Sequence, residues 1–318
     1  MKNKFTYILC VIIVVLFMMD KNIYREKVIY HNEMLKAKKN TLKLYEEIYC
    51  EKLRRGIFID EEIDLKKTGM IGEEFTGITT TLGDLESKKI STNPNFSSYF
   101  VKVLKKKGLK KGDLVAVNMS SSFPGMNISL ISALDILELR AIIVNSIGSS
   151  MYGANNEEFT FLEMAYFLKE KGMIKNFINA YSLGGESDLG KNFDDEIKRK
   201  IEKRIEKLDI KKFYNEDYKE NLKERIEFFN DFGEIKFFFN IGGNLLHEQL
   251  EKYYTKKKIP VISMLNIKQK AAIQGIVEGK EELNLYYEKR TNIYHYIIIF
   301  SFLIGMIIIY ILKKKRRN

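Results

Sequence analysis

The chain is poor in the side chains that build metal centres and disulfide frameworks, with two cysteines and three histidines in 318 residues. Cys10 lies inside an apolar run and Cys50 stands alone among charged residues. Neither an intrachain disulfide framework nor a cysteine-based zinc site is available from them. The bulky Tyr7, Ile8 and Leu9 before Cys10 exclude a lipobox, which requires small residues there. His31, His247 and His295 are too few and too scattered for a His-rich centre, and no metal or cofactor is expected. Phosphate-binding fingerprints are missing too: there is no GxxxxGK[ST], no GxGxxG opening a helix, and no G-x-S-x-G elbow. Apolar material is not lacking. Hydrophobic residues make up 45% and aromatics 12%, which supplies a core and excludes global disorder.

The net charge of +11 points to a polyanion until its placement is considered. Lys2 and Lys4 at one end, and Lys313, Lys314, Lys315, Arg316 and Arg317 at the other, form tails without acids. The stretch from Asp20 to Asn292 is nearly balanced, so nucleic acid is not an expected partner. Each tail adjoins an apolar run. Ile293 to Leu312 is 20 residues long. At ~1.5 Å per residue it matches the ~30 Å hydrocarbon thickness of a bilayer. Tyr294, Tyr296 and Tyr310 suit the interfaces, and the KKKRR cluster marks a cytoplasmic side. The first run, Phe5 to Met19, is shorter and is followed by no small-residue cleavage site, so it reads as an uncleaved anchor.

These features give the following expected organisation: an N-terminal membrane anchor (1–20), a helical stalk (21–55), an extracytoplasmic domain (56–282), a transmembrane helix (293–312) and a basic cytoplasmic tail (313–318). The protein is thus expected in the cytoplasmic (inner) membrane, with the lipid bilayer as a partner and both termini cytoplasmic. In the stalk Val28, Leu35, Leu42 and Tyr49 recur every seven residues, but His31 and Lys38 interrupt the companion positions, a weak coiled-coil signal.

Within the domain, short apolar runs alternate with helical stretches. The runs are Asp113–Met119, Ala141–Ser146, the segment from Ile174, Glu234–Asn240 and Ile259–Leu265. This alternation predicts an α/β fold, with a mainly parallel sheet carrying helices on both faces and flanked by N- and C-terminal transmembrane helices. The charged stretch from Lys198 to Lys223 reads as a solvated helical face.

The predicted strands end alike: Asn118 with Ser120, Ser121 and Ser122; Asn145 and Ser146 with Ser149 and Ser150; Asn179 and Ser182 with Gly184, Gly185 and Asp188; Asn240 with Gly242, Gly243 and Asn244; then Asn266. In an open parallel sheet such exits gather along one edge, where ligands bind, and small residues let backbone N–H groups approach an anion. Gly, Ser and Asn are also ordinary turn residues; what points to a cleft is five such exits together. The segment Gly77 to Phe100 adds Thr79, Thr80 and Thr81, the carboxylates Asp84 and Glu86, and the basic pair Lys88 and Lys89. Candidate catalytic groups are Ser120, Ser121 or Ser122 as nucleophile with His247 as base, or a carboxylate among Asp84, Glu86 and Asp188.

The strings ITTTLGDLESKKISTNPNF, GDLVAVNMSSSFPGMN, NSIGSSMYGANNEEFTFLEM, SLGGESDLG and NIGGN resemble the poly-gamma-glutamate system protein family, over roughly Met70 to Gln274. The resemblance implies an accessory membrane protein of poly-gamma-glutamate capsule biosynthesis, assisting synthesis or export by binding the anionic polymer or the synthase/export membrane subunits. It supplies no catalytic residues. The alternative is a hydrolase or transferase acting on gamma-glutamyl bonds with a strand-exit serine.

Overall fold

A strand covered on both faces shows no polar alternation, and this is the pattern of the runs LVAVNMS and IKFFFNI. They form β3 (Leu114–Ser120), buried at every position, and β8 (Ile235–Ile241), buried at all but Lys236. Beside them lie β4 (Arg140–Ser146), β6 (Ile178–Ser182), β7 (Lys211–Phe213) and β9 (Val261–Met264). The computed structural model describes residues 12, 25–243, 245–276, 283–289, 300–307 and 311. Among the described residues these six strands form one parallel sheet in the order β7–β6–β4–β3–β8–β9. The chain works outward from β3 through β4 and β6 to β7, then returns to lay β8 against the other side of β3. The winding direction therefore reverses between β3 and β8, the place where an open α/β sheet leaves a crevice.

Alternate residues of each strand serve opposite faces. Phe238 stacks on Tyr254 with centroids 4.3 Å apart, joining Ala116, Val144, Ala180, Phe213, Phe229 and Leu250 in one apolar cluster. Its neighbour Phe239 turns the other way and meets Phe100 edge-on at 5.4 Å. The first face is covered by α7 (Tyr218–Asn230) and α8 (Leu245–Lys256), which bring Phe229, Leu250 and Tyr254. Phe100 belongs to α3 (Asn95–Lys106), which packs with α1 (His31–Arg54) and α4 (Pro124–Ile136). Further α-helices are α2 (Leu85–Ser91), α5 (Phe161–Glu170), α6 (Asp195–Ile205) and α9 (Ile267–Gln274). A short parallel pair, β2 (Thr79–Thr81) with β5 (Ser149–Ser150), sits apart from the main sheet in pairing.

The α/β architecture is therefore present, but the other parts of the expected organisation change. Residues 30–285 form one compact unit that includes α1. That helix is not a free-standing stalk: it buries Met34, Ala37, Leu44, Tyr45 and Ile48, and Tyr45 donates to Gly125 O at 2.7 Å. Leu35 and Leu42 of the expected seam are 44% and 49% exposed, because the apolar face that matters is the one turned to α3 and α4.

The expected membrane topology is also corrected. Among the described residues no helix is long and apolar enough to cross a membrane. This overturns the flanking transmembrane helices, and with them the inner-membrane placement with cytoplasmic termini and an extracytoplasmic domain. The described helical stretch at 300–307 has eight residues. Apart from Ile12, the run Phe5–Met19 lies outside the described residues, as do both basic tails and much of Ile293–Leu312. The second unit, residues 1–29 with 286–318, contains an antiparallel pair of β1 (Arg25–Lys27) with β10 (Tyr287–Lys289).

Candidate functional site

The register of the sheet puts Ser120 opposite Ser146, and Ser146 opposite Ser182, so three serines line up across the strand exits. One residue pair deeper, Asn118 stands opposite Asn240 and Val144. The expected exit residues from β3, β4, β6 and β8 thus share one edge, and the structure shows how they are used there. They are buried and bonded chiefly to each other. Ser121 Oγ donates to Ser146 O at 2.8 Å, Asn145 Nδ2 to Met119 O at 3.3 Å, and Ser149 Oγ to Ser121 O at 3.2 Å. Asn118 Nδ2 donates to Asn240 Oδ1 at 3.1 Å, and Asn240 Nδ2 to Glu251 Oε1 at 2.5 Å. Asn127, from α4, donates to Ser120 O at 2.8 Å.

Below this edge lies a charge pair that the sequence did not announce. Arg225 of α7, fully buried, donates to Asp188 Oδ2 at 2.6 Å and to Asn118 Oδ1 at 3.0 Å, and its guanidinium lies 4.9 Å from the Phe213 ring centroid. Asp188 also accepts from Ser182 Oγ at 2.8 Å and Ser146 Oγ at 3.4 Å. A carboxylate so engaged is a structural anchor and not a general base poised in solvent. It fixes a loop in which Gly184, Gly185, Ser187, Asp188 and Gly190 all have positive φ. Two donors in this region are left over. Arg225 Nε and the Asn221 side-chain amide, one helical turn earlier on α7, are buried and have no hydrogen-bond partner among the described residues.

At the crevice between β3 and β8, Gly242 adopts φ +90°, and a Cβ there would stand 2.1 Å from Ser120 Oγ. The same point is 3.7 Å from Cε1 of His247, in the first turn of α8. Burial pushes the His247 pKa down to about 4, so the ring is neutral, and the nearby Arg225 charge acts in the same direction. Gly243 is exposed, whereas Asn244 lies outside the described residues.

The second expected segment divides between structure and chemistry. Thr79 Oγ1 accepts from Thr76 N at 2.9 Å and Asn155 Nδ2 at 3.0 Å, Thr80 Oγ1 donates to Ser149 O at 3.2 Å, and Thr81 O receives Met151 N at 3.0 Å. These threonines pin β5 in place. Asp84 caps α2 through Ser87 N at 2.8 Å and pairs with Lys268 of α9 at 2.8 Å; the Lys268 hydrogen bond leads in holding its pKa at about 2. Glu86 is exposed and lies 3.7 Å from Lys89. The expected basic pair is split by the helix. Lys89 lines a small recess of about 60 Å³ with Ile63, Asp64, Ile71 and Thr92, while Lys88 points inward and is 2% exposed. A larger recess, about 450 Å³, lies in front of Arg55, Phe58, Asn156 and Glu158, away from the strand exits.

Lys88 Nζ donates to Ser122 O and to Ser150 Oγ, the latter at 2.6 Å, with the Phe123 ring centroid 4.3 Å away. Burial alone lowers its pKa to about 7. Among the expected nucleophiles, Ser121 is closed in, Ser120 Oγ accepts from Ser122 N at 3.3 Å, and Ser122 Oγ accepts from Ser150 N at 3.0 Å. The lysine therefore selects Ser150, a neighbour of those candidates. Among the described residues no group of three His, Cys, Asp or Glu side chains is placed to hold a metal ion. Sequence reasoning missed Arg225 and Asn221, whose only local signal is their i, i+4 spacing within a charged helix.

No family model matches the chain, and no curated protein matches it. Among solved structures, the crystal structure of O-ureido-L-serine synthase is similar at 15% identity over 56% of this chain and 51% of that one, with a TM-score of 0.20, too low to inform fold or function.

Proposed function

We propose that the protein is an accessory of poly-gamma-glutamate synthesis or export that binds this polymer through its pendant alpha-carboxylates at the strand-exit edge. The polymer is named by the resemblance of the Thr/Ser/Asn strings. The observation that carries the binding chemistry is the pair of orphaned donors on α7, Arg225 Nε and Asn221 Nδ2, the first on a guanidinium that reaches Asn118 of β3. A buried donor without an acceptor costs about 1–3 kcal/mol, and an acceptor-only group such as a carboxylate relieves that cost. The neutral His247 adds no competing charge, and the exposed Gly243 marks the open side of the crevice.

The test is equilibrium binding of poly-gamma-glutamate to the full chain at several salt concentrations. Binding is expected to weaken with salt and to fall about tenfold or more in Asn221→Leu, whose fold is expected to be preserved. Binding that is absent in the wild type, or unchanged in Asn221→Leu and in Arg225→Lys, removes the reading.

A further inference from the structure

Lys88 is a lysine held inside the protein with no carboxylate partner among the described residues. The carboxylates of its own helix are engaged elsewhere, Asp84 with Lys268 and Glu86 with Lys89. From β5 and the β3 exit it meets only Ser150, Ser122 and the Phe123 ring. Burying an amine without a counter-charge is unfavourable, and a fold that keeps one has the means to use it uncharged. What the amine touches is a hydroxyl that is itself fixed. Ser150 N donates to Ser122 Oγ, and β5 is tied to β2 through Ser149 N on Ile78 O and Met151 N on Thr81 O. Beside them α4 begins at Pro124 with no side-chain cap; Asn127 N donates to Phe123 O, and the Gly125 and Met126 N–H groups with the positive dipole end lie at this exit.

We propose that Ser150 and Lys88 form a nucleophile–base pair for acyl transfer, acting on an ester or amide carbonyl brought to the exits of β3 and β4. Neutral Lys88 Nζ takes the Ser150 hydroxyl proton as Oγ bonds to the carbonyl carbon. The oxyanion forms near the start of α4. The carbon–nitrogen or carbon–oxygen bond then breaks, and the Lys88 ammonium returns its proton to the leaving amine or alkoxide, which leaves an acyl-Ser150 ester. Water attacks that ester, giving a proton to Lys88. As the acid departs, Ser150 Oγ recovers the proton, and both groups return to their starting state. Lys88 titrating near neutral pH fits the base role, because most of the amine is uncharged only above that point. The pair shares no residue with the Arg225 cluster, and only the naming of the polymer amide as its substrate rests on the function proposed above.

The experiment is labelling of the full chain by a fluorophosphonate, followed by peptide mass spectrometry. Ser150 is expected to carry the label, at a rate rising about tenfold as the pH passes from about 6 to about 8. Ser150→Ala and Lys88→Arg, whose guanidinium stays protonated, are expected to lose the label at least about tenfold, Ser150→Ala while melting like the wild type. No label, a label on Ser120, Ser121 or Ser122 instead, or a rate indifferent to Lys88→Arg overturns the pair. Should Lys88→Arg fail to fold, the wild-type profile decides, and a flat rate through neutrality overturns the pair equally. Incubation with poly-gamma-glutamate, read by chain length, is a separate arm: labelled Ser150 with an intact polymer keeps the pair and discards that substrate.

Discussion

At the scale of single residues, the protein holds charge and polarity where burial makes them sensitive to proton activity and to substitution. Lys88 is held near 7 when folded, against 10.5 for a free lysine, and burial likewise pushes Lys52 down to about 8. Between the folded and unfolded values the unfolded chain binds more protons, so stability rises with pH across that window and is lowest below about 7. Urea unfolding at pH 7 and at pH 9 is expected to show this gain in the wild type, and a smaller one in Lys88→Met. An equal gain in both would show that Lys88 is not desolvated. Arg225 and Asp188 form a buried ion pair, so Arg225→Met leaves Asp188 uncompensated and is expected to cost about 3–5 kcal/mol in the same measurement. Asn221→Leu is predicted to go the other way. Replacing an amide that makes no bond with an apolar group of similar volume is expected to be neutral or to stabilise by about 1 kcal/mol, and a loss of several kcal/mol would mean that the amide is satisfied.

At the scale of elements, the site is shaped by how strands hand over to helices. α5 opens with a reciprocal cap: Thr160 Oγ1 accepts from Glu163 N, and Glu163 Oε2 accepts from Thr160 N at 2.9 Å. Thr160→Ala is expected to cost about 1 kcal/mol in thermal unfolding. Gly242 is where β8 turns toward α8 against Ser120. Gly242→Ala meets both a positive φ and a steric overlap with Ser120 Oγ. A loss of about 2 kcal/mol is expected, and Ser120→Gly in the same chain should recover part of it.

At the scale of the whole molecule, the central strands β3, β4 and β8 carry the deepest burial, whereas the loop from Gly184 to Gly190 is held mainly by Asp188. Hydrogen exchange is expected to be slowest in β3 and β8 and faster in that loop, and Arg225→Met should accelerate the loop before the strands. The same comparison shows how far sequence reasoning reached. The runs that became β3, β4, β6 and β8 were legible because strands buried on both faces must be apolar throughout, and the half-buried edge strand β9 still carried its apolar run. β7 was not, since Lys211 and Lys212 of this edge strand face solvent and read as part of a charged helix. The apolar run Ile293–Leu312 carried the signature of a membrane span, but among the described residues no helix is both long and apolar enough to cross one.

Local order along the chain was enough to set the succession of strands and helices, the small polar residues at each strand exit, and their convergence on one edge. Burial and partnership belonged to the tertiary structure alone. It turned Lys88 inward and Lys89 outward from adjacent positions, drew Arg225 from a charged helix to meet Asp188, and brought Ser150 to the lysine. The physical reason is that hydrogen bonds and desolvation depend on distances between segments far apart in sequence, and those distances are fixed only when the sheet and its helices close on one another.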